Sequence, residues 1–488
     1  MDASGRARLR WAVPQLAELS AVDAVARMRA GELGAEEYAG ALLDRCAAGR
    51  HLNAFIALAP ETVLEAARAA DRHRAANLWL GPLHGLPIPI KDSVNTSEYP
   101  TTSGTPALRG FRPKDDAPVV RTLREAGAIV LGKTNLAELS LGWTSANAAF
   151  GPVRNPYDPA RIPGGSSGGT AAAVAAGMAP LGVAEDTCGS VRVPAALCGI
   201  AGFRPTTFRY SPRGVMPLAS MFDTIGPHAR VVADLALFDS VVTGDFNPLR
   251  AVPAGTLRLA LSRAHYFPDL DPEVARVTRE ALAALAQAGV TLVEADVPDV
   301  TRLVSDANFP IIFHDSVPMI ASYLEEFETG VTCEQLLAAA SPAVRENLDA
   351  RRLAGGRLWV SPEAYAAARD VHRPALREAF RRYFCQTGAA ALLHPATLVA
   401  ATPIGPDQEV AIGGRAVPFR TAMSRNIAPG SCAGLPGLVL CAGYTRDGLP
   451  VGIELDGPAG SDRDLLALGR TLEAILPRRQ PPPALTAG

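Results

Sequence analysis

Apolar residues recur first at helical spacing along this chain and then in short blocks, and the change of period outlines the architecture. From Ser20 to about Ala70 the pattern is helical. Ser20 is placed to cap AVDAVARMRAG, Gly31 and Gly34 punctuate, and AEEYAGALLDRCA continues the amphipathic spacing. Beyond this arm, short apolar or β-branched runs alternate with Ala- and Leu-rich stretches. LPIPIKD (ending at Asp92), AIVLGKT, PLGVAED and AGLPGLVLCAG read as strands, and APVVRTLREAG and TAAAVAAGM as helices. A helix from Pro272 to Gly289 precedes the strand VTLVEADV, and helical segments dominate from about Val300 to Phe384. The alternation predicts an α/β sheet covered by helices. With no internal repeat and no low-complexity linker, it divides into a helical arm over 1–75 and one large domain over 76–475. A helical insertion near 300–385 is expected to shape a pocket, and the Pro-rich tail over 476–488 is expected to be disordered.

Composition narrows the function. A chain of 488 residues with 48% hydrophobic content can bury a large core, and a formal net charge of −2 without a long Lys or Arg run lacks the footprint of a nucleic-acid binder. A small-molecule substrate is expected, with no nucleic-acid or membrane partner. The N-terminal MDASGRARLRWAVPQL has basic residues but no apolar h-region, and the stretch Ala171–Ala184 is too short to span a bilayer, so a cytoplasmic location is expected. Seven cysteines, scattered from Cys46 to Cys441 without C-x-x-C spacing, argue against a disulfide framework and a zinc cluster.

Three motifs carry chemistry. GAIVLGKT, Gly127 to Thr134, matches the phosphate-binding pattern G-x-x-x-x-G-K-[ST], but its variable positions are strand-like and no strand precedes the first glycine, which argues against Lys133 as a phosphate ligand. PGGSSGG, Pro163 to Gly169, matches G-x-S-x-G at Ser166 or Ser167. A nucleophile elbow needs a strand before it, and RNPYDPARIP is no strand; the late base it also needs is available only as His394. A loop that merely caps a helix is the plain alternative. The third is EDTCGSVRVP, where Ser190 follows a strand and backbone N–H groups of residues 187–190 can converge on one oxygen. Upstream, Lys91 ends an apolar run, where a desolvated amine becomes accessible; a solvated strand-end charge is the bland reading.

Lys91 in GLPIPIKD, the loop GGSSGG, and DTCGSVRVP with Ser190 twenty-four positions after Ser166 together resemble the amidase signature family of Ser-cisSer-Lys hydrolases. The likeness extends from GPLHGLPIPIKD to DGLPVGIELDGP near the C-terminus. It implies a large mixed β-sheet core covered by helices on both faces. It also implies a nucleophile at Ser190, a bridging Ser166 on a cis peptide, a base at Lys91, and oxyanion donors among Thr187, Cys188, Gly189 and Ser190. Ser167, Asp186 and Arg192 match supporting positions, and no metal or cofactor is implied. The chain departs from the family at Cys188, where glycine is common, and at Glu185, where Thr is frequent.

The expected activity is serine-based cleavage of the C–N bond of small linear aryl or acyl amides, extending to esters and carbamates. The first alternative is the glutaminase-like subunit of a tRNA-dependent amidotransferase, which usually carries Gln where Val193 stands. The others are a nitrilase-like set of Lys91, Glu185 and Cys188, and an inactive scaffold. Regions around Asn147, Phe208, Phe313 to Met319 and Pro395 to Gly405 are candidates for the pocket lining, and a homodimer is allowed.

Overall fold

A computed structural model describes residues 13–405 and 408–483; the basic segment at 1–12 and the end of the Pro-rich tail, 484–488, lie outside the described residues. Eleven strands form one sheet: β1 (Phe55–Leu58), β2 (Pro87–Lys91), β3 (Ile129–Thr134), β4 (Leu181–Asp186), β5 (Ala201–Arg204), β6 (Thr224–Ala229), β7 (Arg258–Leu261), β8 (Thr291–Glu294), β9 (Ala391–Pro395), β10 (Gly437–Tyr444) and β11 (Pro450–Asp456). Their order across the sheet is β1-β3-β2-β4-β6-β5-β10-β11-β9-β7-β8. The sheet is mixed: β2 runs parallel to both β3 and β4, whereas β4 and β6 are antiparallel. Strands β2, β3, β4 and β11 are buried at every position, as expected of strands with helices on both faces.

The arm is not wholly helical. Ser20 caps the helix Ala21–Ala30 by accepting from Asp23 N–H, and Ala21, Ala24, Val25 and Met28 form its buried stripe. Phe55–Leu58, however, is an edge strand of the main sheet, antiparallel to β3. Four apolar residues carry no period that separates strand from helix, so pairing decides. Core residues stitch the arm in place. The Asp234 carboxylate accepts from Ala21 N–H and Val22 N–H at 2.8 and 3.0 Å, and Arg230 donates to the carbonyls of Ala17, Leu19, Val174 and Ala179.

The region 300–385 is helical, led by the 27-residue helix Val300–Glu326 and followed by Cys333–Ala339, Pro342–Arg352, Pro362–Ala367 and Arg373–Thr387. The tail lies on the core as far as it is described: Tyr157 Oη donates to Gln480 O at 2.6 Å and Gln480 N–H to Tyr444 Oη at 2.8 Å. Among the described residues no helix is long and apolar enough to cross a membrane.

Candidate active site

Parallel pairing of β2 and β4, with Ile90 opposite Val183, brings Lys91 and Glu185 together at the C-terminal ends of adjacent strands. In open α/β sheets that end is where sites are built. Lys91 is fully buried, with Nζ 2.6 Å from Ser166 Oγ and 2.5 Å from Glu185 Oε1. Glu185 Oε1 also accepts from Ser140 Oγ at 2.6 Å, with Ser93 Oγ at 3.4 Å. Burial drives the Lys91 amine below the ordinary lysine value, and the Glu185 carboxylate works in the opposite direction.

Ser166 lies in the loop before the helix Gly168–Ala175, and the Gly165–Ser166 peptide is cis. Ser145 clasps this loop, with Oγ 2.9 Å from Gly164 O and 3.1 Å from Ser166 O, and it accepts from Gly168 N–H at 3.0 Å. Two glycines are needed for space and conformation. Gly164 has φ +84°, and a Cβ on Gly169 would sit 2.3 Å from Asn135 O and 2.5 Å from Ala54 O. Ser167 Oγ donates to Glu185 O at 3.2 Å, tying the loop to β4.

Asp186 organises the turn that carries Ser190. Its carboxylate accepts from Gly189 N–H at 2.8 Å and Val191 N–H at 3.1 Å, and is paired by Arg192 and Arg204 at 3.1 Å each. Burial alone would raise this carboxyl, but the two guanidiniums and the Gly189 N–H hold it well below the usual carboxylate range. Gly189 N–H donates to Asp186 Oδ1, whereas the N–H groups of Thr187, Cys188 and Ser190 meet no protein acceptor among the described residues.

Several supports had no local signal in the sequence. Thr187 Oγ1 donates to Asp223 at 2.6 Å; Asp223 also accepts from Leu218 and Ala219 N–H, and burial raises its carboxyl to about 7. Trp143 Nε1 donates to Cys188 O at 2.9 Å, and Asn308 Nδ2 lies 3.6 Å from Cys188 Sγ. Burial raises the Cys188 thiol to about 11, far from thiolate chemistry at neutral pH. Ser145, Asp223, Trp143 and Asn308 come from loops and a helix remote in sequence, and only folding makes them neighbours.

Thr187, Cys188 and Ser190 line a cavity of about 490 Å³ together with Trp143, Phe309, Ile312 and Phe313. Phe309, Ile312 and Phe313 come from the helix Val300–Glu326. Of the other lining candidates, Asn147 is a buried brace donating to Gly104 O and Leu136 O, and Phe208 is 64% exposed. Val399–Gly405 line a separate cavity of about 590 Å³ that contains neither Lys91, Ser166 nor Ser190.

The remaining motif residues serve the core. Lys133 is buried, donating to Val94 O and Thr101 Oγ1 and lying 3.4 Å from Asp92, so the phosphate-loop pattern is accidental. His394 stacks on Tyr266 and faces Asp456 at 3.3 Å. With Glu454 it forms the one group of converging metal-type ligands among the described residues, but Arg192 already pairs with Glu454, so a guanidinium occupies the cation's role.

Comparison with known proteins shows the family. The Amidase family model matches residues 37–466. Indoleacetamide hydrolase of Agrobacterium vitis is 38% identical over 466 residues, covering 96% of this chain and 99% of its own. Mandelamide hydrolase of Pseudomonas putida is 36% identical, covering 98% and 95%. A glutamyl-tRNA(Gln) amidotransferase component of Chloroflexus aurantiacus is 35% identical, covering 94% and 97%. Among solved structures, an amidase crystal structure superposes with a TM-score of 0.84 at 31% identity, covering 94% of this chain and all of that one. The chain belongs to the amidase signature family and is an amidase, a hydrolase of carbon–nitrogen bonds.

Proposed function

We propose that this enzyme hydrolyses small linear aryl amides through an acyl-enzyme on Ser190. The observation that carries the reading is the 2.6 Å contact between Lys91 Nζ and Ser166 Oγ, buried beside the cavity that Ser190 lines. Neutral Lys91 accepts a proton from Ser166, which accepts one from Ser190 as Ser190 attacks the carbonyl. The N–H groups of Thr187, Cys188 and Ser190 receive the oxyanion. The relay then reverses and protonates the departing amine, because an amide anion is too basic to leave unaided. Water repeats the sequence on the acyl-enzyme. Esters and carbamates are substrates for the same acyl chemistry.

The aryl preference rests on the apolar and aromatic lining, Phe309, Ile312 and Phe313, and on the named activity of the indoleacetamide and mandelamide relatives. A second reading, one component of a tRNA-dependent amidotransferase, is favoured by the Chloroflexus relative. Val193 stands against it. The purified chain, assayed alone on phenylacetamide, an aryl ester and an aryl carbamate, is expected to turn over the amide; inactivity alone with recovery inside a multi-chain complex would favour the second reading. A fluorophosphonate is expected to label Ser190, and labelling at Ser166 or Ser167 would overturn the relay.

A further inference from the structure

The cavity that Ser190 lines is also lined by three arginines, Arg351, Arg357 and Arg420. Arg351, on the helix Pro342–Arg352, is 8% exposed; its Nη1 donates to Ser316 Oγ at 2.8 Å, and its Nε is buried without a partner. Its guanidinium lies 4.9 Å from the Phe313 ring centroid, and that of Arg420 lies 5.9 Å from the same ring and 4.8 Å from Phe309. Two cations thus share one aromatic surface. A third, Arg357, is paired with Glu346 at 3.3 Å. No Asp or Glu lines this cavity among the described residues, and neither Arg351 nor Arg420 has a carboxylate within ion-pair distance there.

A buried guanidinium without a counter-charge is costly, and a like charge beside it adds to the cost. Burial, reinforced by Arg420, pushes the Arg351 guanidinium down to about 10. The stacked rings Phe309 and Phe313 return only part of that cost. Among the described residues no carboxylate answers this charge, and the cavity is the route by which an anion arrives. We infer that this cavity binds a carboxylate on the acyl part of the substrate, gripped by Arg351 and Arg420 while the amide carbonyl lies at Ser190. The substrate class is then an aryl amide bearing a carboxylate on the ring side. A guanidinium fork matches that planar anion. The volume of about 490 Å³ accommodates a substituted ring. The inference rests on the amide-hydrolase reading of the same cavity.

The test is a matched pair, phenylacetamide and its para-carboxylate, bound to the Ser190→Ala protein by calorimetry and turned over by the unsubstituted enzyme. The carboxylate amide is expected to bind at least about tenfold more tightly, with the advantage shrinking as salt rises. Arg420→Met, at an exposed position, and Arg351→Gln, each in the Ser190→Ala background, are expected to weaken the carboxylate amide at least about tenfold more than the neutral one. Arg420→Met carries the result if loss of buried Arg351 disturbs the fold. Equal binding of the pair, or equal losses for both ligands in Arg420→Met, would overturn the inference. Retained carboxylate preference in binding, with no turnover of either amide, would instead defeat the aryl-amide reading and leave the anion site standing.

Discussion

At Lys91 two influences oppose each other: burial drives the ammonium toward neutrality, and Glu185 at 2.5 Å holds the proton on. A base must be deprotonated to work, so activity is expected to rise with pH along a limb set by Lys91, lying below the ordinary lysine range. Glu185→Gln removes the influence that raises the amine's pKa, and the limb should move to lower pH; Lys91→Ala should abolish it. A pH–kcat/KM profile of the three proteins decides, and an unmoved limb in Glu185→Gln would contradict the role given to that carboxylate. Ser190→Ala is expected to cost a thousandfold or more, on the order of other nucleophile removals. Cys188→Ser keeps the backbone N–H and should stay within about tenfold of the unsubstituted rate. Collapse in Cys188→Ser with survival of Ser190→Ala, measured side by side as kcat/KM, would make this a cysteine enzyme.

Helices and strands here hold the chemistry by close approach rather than by their own stability. The helix Gly168–Ala175 starts with glycines because backbone carbonyls of Asn135 and Ala54 crowd its first turn. Gly169→Ala would drive a methyl group against those rigid carbonyls and is expected to cost about 1–3 kcal/mol, read as a fall in the denaturation midpoint. Unchanged stability would show that the first turn has room to shift. Most of these elements are legible in the sequence: LPIPIKD and PLGVAED form β2 and β4, and Ser20 caps the helix its position predicts. Phe55–Leu58 is not legible, because an isolated apolar run takes its state from its partner strand.

Across the whole molecule, the arm and the core are joined by buried polar contacts as well as apolar packing. Arg230 is 8% exposed and satisfies four carbonyls drawn from the arm and from the chain around the Gly168–Ala175 helix. Arg230→Met leaves the carbonyls of Ala17, Leu19 and Ala179 without this donor, while Val174 O keeps the N–H of Gly177, and is expected to destabilise the fold by about 3–5 kcal/mol. Urea titration checks the size, and hydrogen exchange should show residues 21–30 losing protection first. A loss below about 1 kcal/mol would mean that apolar packing alone docks the arm.

By itself the sequence determined which residues are candidates for the proposed chemistry and which stretches form the strands and helices near them, because periodicity, capping and motif spacing are local properties of the chain. Lys91, Ser166 and Ser190, the residues of the proposed relay, stand in three short motifs, and Glu185 and Cys188 are departures from the family those motifs resemble. Only the tertiary structure decided what those departures do. Parallel pairing of β2 with β4 puts Glu185 on Lys91, the Asp186 carboxylate claims the N–H of Gly189, and Arg351 and Arg420 converge on Phe313 from separate segments. The physical reason is that a hydrogen bond or charge contact is chosen by distance in space. Groups separated by tens or hundreds of positions leave no pattern along the chain from which that distance can be read.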